Sequence, residues 1–96
     1  MKRIKINDTE DAILGPDGGL QIDGASYIAG MSSYEWFFQI EREHLVNLYK
    51  KISSDDVSDD VGNSMIDFLK KNQIKVSDLI EVCKENDIEH YFTTYR

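Results

Sequence analysis

The residues able to do chemistry in this sequence are few: one cysteine, two histidines and 18 acids in 96 residues. A nucleophile–base pair would have to join Cys83 to His44 or His90, because thiol chemistry needs a neighbouring base to hold the thiolate. Cys83 falls at helical spacing with Leu79 and Ile80, where a cysteine is a small buried hydrophobe. His90 alternates with Tyr91 as a sheet residue would. Glu41, Glu43 and His44 crowd potential metal donors together, but no second His or Cys stands at ligand spacing. Asp56-x-Ser58-x-Asp60 repeats the alternating oxygens of a calcium loop, with Asp67 in the place of its last ligand. Val61 stands where that loop demands glycine, and the last ligand should be a bidentate Glu, so calcium is not expected. The glycines near Gly18 lead into neither a Gly-Lys-Ser/Thr phosphate loop nor a GxGxxG dinucleotide fingerprint. These residues assign no catalytic group, no metal and no cofactor.

What remains is charge. The formal net charge is −7, and it is unevenly spread. Ser53-Ser54-Asp55-Asp56-Val57-Ser58-Asp59-Asp60 is the densest acidic run. Between Lys5 and Arg42 there is no Lys or Arg, against the acids Asp8, Glu10, Asp11, Asp17, Asp23, Glu35 and Glu41. A second base-free window runs from Lys51 to Lys70. Phosphate backbones are bound by clustered Lys and Arg, and here the basic residues come as the isolated pairs Lys50-Lys51 and Lys70-Lys71. Nucleic acid is therefore not an expected partner. An acidic patch steers a basic protein instead, with solubility as the simpler use of the same charge.

The chain is expected to be a single domain, residues 1–96. With 41% hydrophobic and 30% charged residues it is globular in composition. No apolar run follows Met1-Lys2-Arg3 as a signal peptide requires, and none approaches a membrane span. One cysteine cannot make an internal bridge, which favours a reducing, cytoplasmic setting.

The elements that must position these groups can be read from periodicity. Arg3-Ile4-Lys5-Ile6 alternates as a short strand, and Asp8 to Asp11 reads as a polar turn. Gly15-Pro16-Asp17-Gly18-Gly19 is the strongest turn signal, making residues 12–23 a hairpin. Ser26 to Ala29 offers a possible further strand. Tyr34 to Glu41 alternates with aromatic enrichment, placing Tyr34, Trp36, Phe38 and Ile40 on one face. Ser32 with Glu35 also fits a helix capping box, a rival reading of this segment. Leu45, Leu48, Tyr49 and Ile52 then mark a helix over about residues 42–52. Val57, Val61, Met65, Phe68 and Leu69 mark a second, capped by Ser54, Asp56 or Ser58 and ended by Lys70, Lys71 and Asn72. Ser77 reads as the N-cap of a third helix ending near Asn86, and Ile88 to Tyr95 closes as a strand. The expected fold is α+β: an antiparallel or mixed sheet of four to five strands, with about three helices packed on one face.

On this pattern the aromatics off the core face gain meaning. Phe37 shares a strand face with Glu35, Gln39 and Glu41; Tyr91 and Tyr95 share one with Glu89 and Thr93. Large aromatics ringed by carboxylates have the composition of an interface for a cationic partner, unless a helix covers Phe37. The candidate partner-binding residues are Asp55, Asp56, Asp59, Asp60, Glu35, Phe37, Glu41, Glu89, Tyr91 and Tyr95.

Small size, acidity, a lone cysteine, no catalytic motif and an aromatic-acidic surface together resemble bacterial toxin-immunity proteins. These are the cytosolic inhibitors paired with contact-dependent or polymorphic toxins. The resemblance lies in the character of the whole chain, matches neither the barstar nor the colicin-DNase immunity pattern, and carries over no residue position by position. It implies a non-enzymatic inhibitor that holds a basic toxin domain, often a nuclease, in a one-to-one complex. The alternative expectation is a small adaptor or regulatory subunit of a larger assembly, acting through an exposed sheet edge.

Overall fold

A computed structural model describes residues 3–26, 34–53 and 60–95, the last of these by its backbone. The described residues form five strands and three helices: β1 (Arg3–Lys5), β2 (Glu10–Leu14), β3 (Leu20–Ser26), β4 (Tyr34–Ile40), α1 (Arg42–Ile52), α2 (Val61–Asn72), α3 (Val76–Glu85) and β5 (Tyr91–Tyr95). The strands make one antiparallel sheet in the order β1-β2-β3-β4-β5, the three helices being inserted between its last two strands. This is an α+β fold. No helix among the described residues is long and apolar enough to cross a membrane.

The β2–β3 hairpin forms as its turn residues require. Gly18 N donates to Gly15 O at 3.1 Å, Gly15 N to Gly19 O at 2.9 Å, and Gly18 sits at φ 91°. Pro16 and Asp17 are the central residues of a turn closed by a left-handed glycine. Asp17 Oδ1 also accepts from Gly19 N at 3.2 Å.

Side-chain alternation sorts the sheet into two faces. Ala12, Leu20, Ile22, Phe38 and Ile40 point to one face and are almost wholly buried against Leu45, Leu48, Met65, Leu69, Leu79 and Cys83 of the helices. Gly62 lets α2 approach β2 closely, since a Cβ there would run into Leu14 Cδ2. Gly24 does the same for Trp36 across the β3–β4 ladder, where an added Cβ would run into the indole.

Helix ends account for much of the remaining detail. Asp60, rather than an earlier residue of the acidic run, is the N-cap of α2: its Oδ1 accepts from Asn63 N at 3.5 Å and its Oδ2 from Asn63 Nδ2 at 2.7 Å. The left-handed residue ending α2 is Gln73 (φ 53°), one beyond Asn72, and Ile74 N donates to Leu69 O at 3.1 Å. Asp87, also at φ 53°, ends α3 in the same way, with Ile88 N bonded to Cys83 O at 2.9 Å. Ser77 is not the N-cap of α3. The helix starts two residues earlier than that reading, after Lys75, whose backbone N–H donates to Asp78 Oδ2 at 3.2 Å.

The strand reading of Tyr34–Ile40 holds over its helical rival. Two other expectations change. Ile88 lies in the connection to β5 and is buried, so the last strand begins at Tyr91. The polar stretch read as a turn contains the first residue of β2, Glu10, which is only 4% exposed. Val57, Tyr27 to Ala29 and Ser32 lie outside the described residues.

Candidate protein-binding surface

The face turned away from the helices is built by the odd-numbered residues of the strands. The register lays them out in rows: Lys5, Asp11, Asp23, Phe37 and Thr93 in one, and Arg3, Ile13, Gln21, Gln39 and Tyr91 in the next. Glu35 sits in a third, paired with Ala25 and Tyr95. No helix among the described residues packs on this side, so Phe37 is not core.

Chemistry changes steadily across this face. At the β1 side, Arg3 bonds Asp23 Oδ2 at 3.0 Å and Asp11 Oδ2 at 3.4 Å. The hydrogen bond to Asp23 is the chief reason the Arg3 guanidinium is held in its charged form more firmly than usual. Two carboxylates of the base-free window are thus neutralised locally. The β5 side is aromatic instead. Phe37 and Tyr91 meet edge to face, ring centroids 6.1 Å apart at 69°, a favourable aromatic geometry. Tyr91 stays 57% exposed, the most of any large hydrophobic among the described residues. Glu35 lies on the same face, half-buried.

Two more of the expected residues converge at the end of β5. Glu41 is the N-cap residue of α1, and Glu89 lies in the connection entering β5. His44 stands between them: its Nε2 is 3.1 Å from Glu89 Oε2 and 3.5 Å from Glu43 Oε1. Donor atoms of Glu41, Glu43 and His44 lie within 4.8 Å of one another. One imidazole among exposed carboxylates, at the positive end of a helix, is the arrangement of a polar surface cluster whose acids complement the helix dipole. It borders a shallow depression that also includes Gln39, His90 and Tyr91. His90 is tied into the sheet, its Nδ1 2.9 Å from Ile88 O and its ring stacked 5.7 Å from Phe38.

The structure therefore brings Glu35, Phe37 and Tyr91 onto one face, with Tyr95 at the same register, and sets Glu41 and Glu89 at its end. Asp60 is not with them: it caps a helix of the layer that covers the other face. Asp55, Asp56 and Asp59 lie outside the described residues.

The sequence reading missed the other notable carboxylate. Glu10 Oε2 accepts from Trp36 Nε1 at 2.6 Å, while Oε1 accepts from Asn7 Nδ2 at 2.8 Å and from Val76 N at 3.1 Å. One buried carboxylate thus ties β2 to β4 and to the first residue of α3, a favourable place for negative charge. It borders a groove with Tyr34, Trp36, Ile80 and Phe92. Phe92 is 39% exposed although alternation puts it on the helix-covered side. The groove's signal in the sequence is the aromatic alternation itself, which says nothing of where the helices stop. Cys83 is wholly buried, and desolvation pushes its thiol up to about 11.

Taken together this is a small α+β scaffold with one helix-free sheet face carrying Phe37, Tyr91 and Glu35, and a separate groove at Tyr34, Trp36 and Phe92. No protein family, curated protein or solved structure matches the chain.

Proposed function

We propose that this chain is a cytoplasmic, non-enzymatic protein of the immunity type. It would bind and neutralise a basic toxin domain, a nuclease, through the β4–β5 side of the open sheet face. The observation that carries this reading is the Phe37–Tyr91 pair, a half-buried ring packed against an exposed one on a helix-free face, with Glu35 beside it and Glu41 and Glu89 at its end. Aromatic anchors among acids suit a cationic protein surface, since the rings supply contact area while the carboxylates set orientation and speed encounter. The net charge of −7 adds long-range steering towards a basic partner. The buried Cys83, its thiol pushed up to about 11, supplies little thiolate at neutral pH, which favours binding over thiol catalysis.

The adaptor reading has one observation in its favour, the exposed edge strand β5. Co-expression separates the two. If the gene lies beside a secreted toxin gene, producing the chain should restore growth to cells making that toxin's C-terminal domain. Failure to rescue any adjacent toxin, with stable incorporation into a cytosolic complex instead, would favour the adaptor.

A further inference from the structure

The two edges of the sheet are differently protected. The β1 edge is three residues long and carries Arg3 and Lys5. Short, charged edges resist pairing with another strand. The β5 edge is five residues, Tyr91-Phe92-Thr93-Thr94-Tyr95, with no charge, proline or glycine. Exposed large hydrophobics among the described residues are Tyr34, Tyr91 and Phe92, and two of these are in β5.

The backbone direction of β5 follows from the ladder. In antiparallel pairs each residue turns both its N–H and its C=O to one neighbour, alternating along the strand. Ala25 N donates to Thr9 O at 3.1 Å and Gly15 N to Gly19 O at 2.9 Å. Odd-numbered residues of β3 therefore face β2, and its even-numbered residues face β4. Carried through the β3–β4 and β4–β5 registers, Tyr91, Thr93 and Tyr95 bond β4. Phe92 and Thr94 turn their N–H and C=O outward, and no strand among the described residues pairs with that side.

The geometry points to β5 as the docking edge for an extended segment of the partner, with Lys or Arg at the end that meets Glu89 and β-branched or aromatic residues beyond. This deepens the protein-binding reading above and rests on it. Charge selects the occupant. Glu89 precedes the strand with Glu41 and Glu43 beside it around His44, and the strand that follows is neutral. A segment of about five residues would span roughly 17 Å and place a basic end against this acidic cluster, in either chain direction. Main-chain bonds to Phe92 and Thr94 give affinity, while Tyr91 and Thr93 on one face and Phe92 on the other read alternate side chains.

The test uses the full chain, isotopically labelled, and a capped synthetic peptide Lys-Lys-Val-Thr-Val-Thr-Val-Lys-Lys, followed by amide NMR. The peptide should shift the Phe92 and Thr94 amide signals and slow their exchange. Its all-Glu counterpart should bind at least tenfold more weakly. Thr94→Pro should lose at least tenfold in affinity while staying folded, because the N–H it removes faces outward. Thr94→Lys, which leaves the backbone intact, should also weaken the basic peptide. Shifts centred elsewhere, equal binding of the acidic peptide, or unaltered binding by both variants would overturn the proposal. So would concentration-dependent shifts of these amides without peptide, with dimer mass by sedimentation, which would assign the edge to a second copy. If Thr94→Pro holds the toxin domain normally while Phe37→Ala does not, the edge proposal fails and the toxin reading stands. If the peptide binds but no adjacent toxin is neutralised, the reverse holds.

Discussion

The two faces of the sheet are made by the same strands and differ in what their side chains touch. On the covered face, Ala12, Ile22, Phe38 and Ile40 are almost without exposure, and the buried carboxylate of Glu10 is bonded through both oxygens. On the open face, Arg3, Asp11 and Asp23 form an exposed ion network and Phe37 leans on a Tyr91 that is mostly in solvent. Burial and satisfied hydrogen bonds put the stability on the first face. Exposed ion pairs contribute little, so the second face is free to be shaped by binding. The comparison predicts that damage to the two faces will be read by different instruments.

The largest effect should follow Glu10→Ala. It leaves Trp36 Nε1 and Val76 N without their acceptor, while Asn7 Nδ2 keeps Ile74 O at 3.5 Å, and should cost about 3 kcal/mol in denaturant unfolding, since each orphaned donor costs roughly 1–3 kcal/mol. A loss below about 1 kcal/mol would show that the carboxylate does not hold the covered face together. Gly24→Ala comes next. Its Cβ would push the Trp36 indole away from Glu10, at about 2–3 kcal/mol of overpacking strain, checked by unfolding and by the tryptophan fluorescence of the native state.

How much of this was legible in the chain divides along the same line. The strand at Tyr34–Ile40, the Gly15–Gly19 turn and the helix stripes were readable because each is a local pattern with one buried face. The role of Glu10 was not. Asp8-Thr9-Glu10-Asp11 is locally a polar turn, and only Trp36 and Val76, 26 and 66 residues away, make a strand carboxylate acceptable there. The start of α3 was hidden for the same reason, because Glu10 accepts the N–H of Val76 and no capping side chain at Ser77 is needed. On the open face, alternation was enough to group Glu35 with Phe37 and, separately, Tyr91 with Tyr95; that β4 and β5 are neighbours, which joins the two groups, is set by strand order. Alternation could not show that Arg3 neutralises Asp11 and Asp23, a pairing set by strand order.

Cys83 gives a pH-dependent effect on the covered face. Its folded thiol is pushed up to about 11, above the usual value near 9, so between about pH 9 and 11 the folded state holds a proton that the unfolded chain releases. Stability from this group is complete below pH 9 and falls as pH rises through 11. At about 1.4 kcal/mol per pH unit the fall is about 2–3 kcal/mol. Cys83→Ala should lose that part of the alkaline decline, measured by urea unfolding across pH 8 to about 11; identical pH profiles would contradict it.

The smallest change in stability should come from Arg3→Ala on the open face, because its ion pairs are exposed to solvent. Its larger consequence is electrostatic. Asp11 and Asp23 are left uncompensated, so association with a basic partner should speed up at low salt and converge with the parent chain at high salt.

The central claim is that the open face binds and the covered face holds the fold. Its most direct test is the affinity of the Phe37→Ala/Tyr91→Ala chain for the basic toxin domain proposed as its partner, measured with thermal stability on the same samples. The account predicts at least a 30-fold weaker Kd with a Tm close to that of the parent chain. Unchanged affinity, or loss of binding only where the variant has also unfolded, would contradict it.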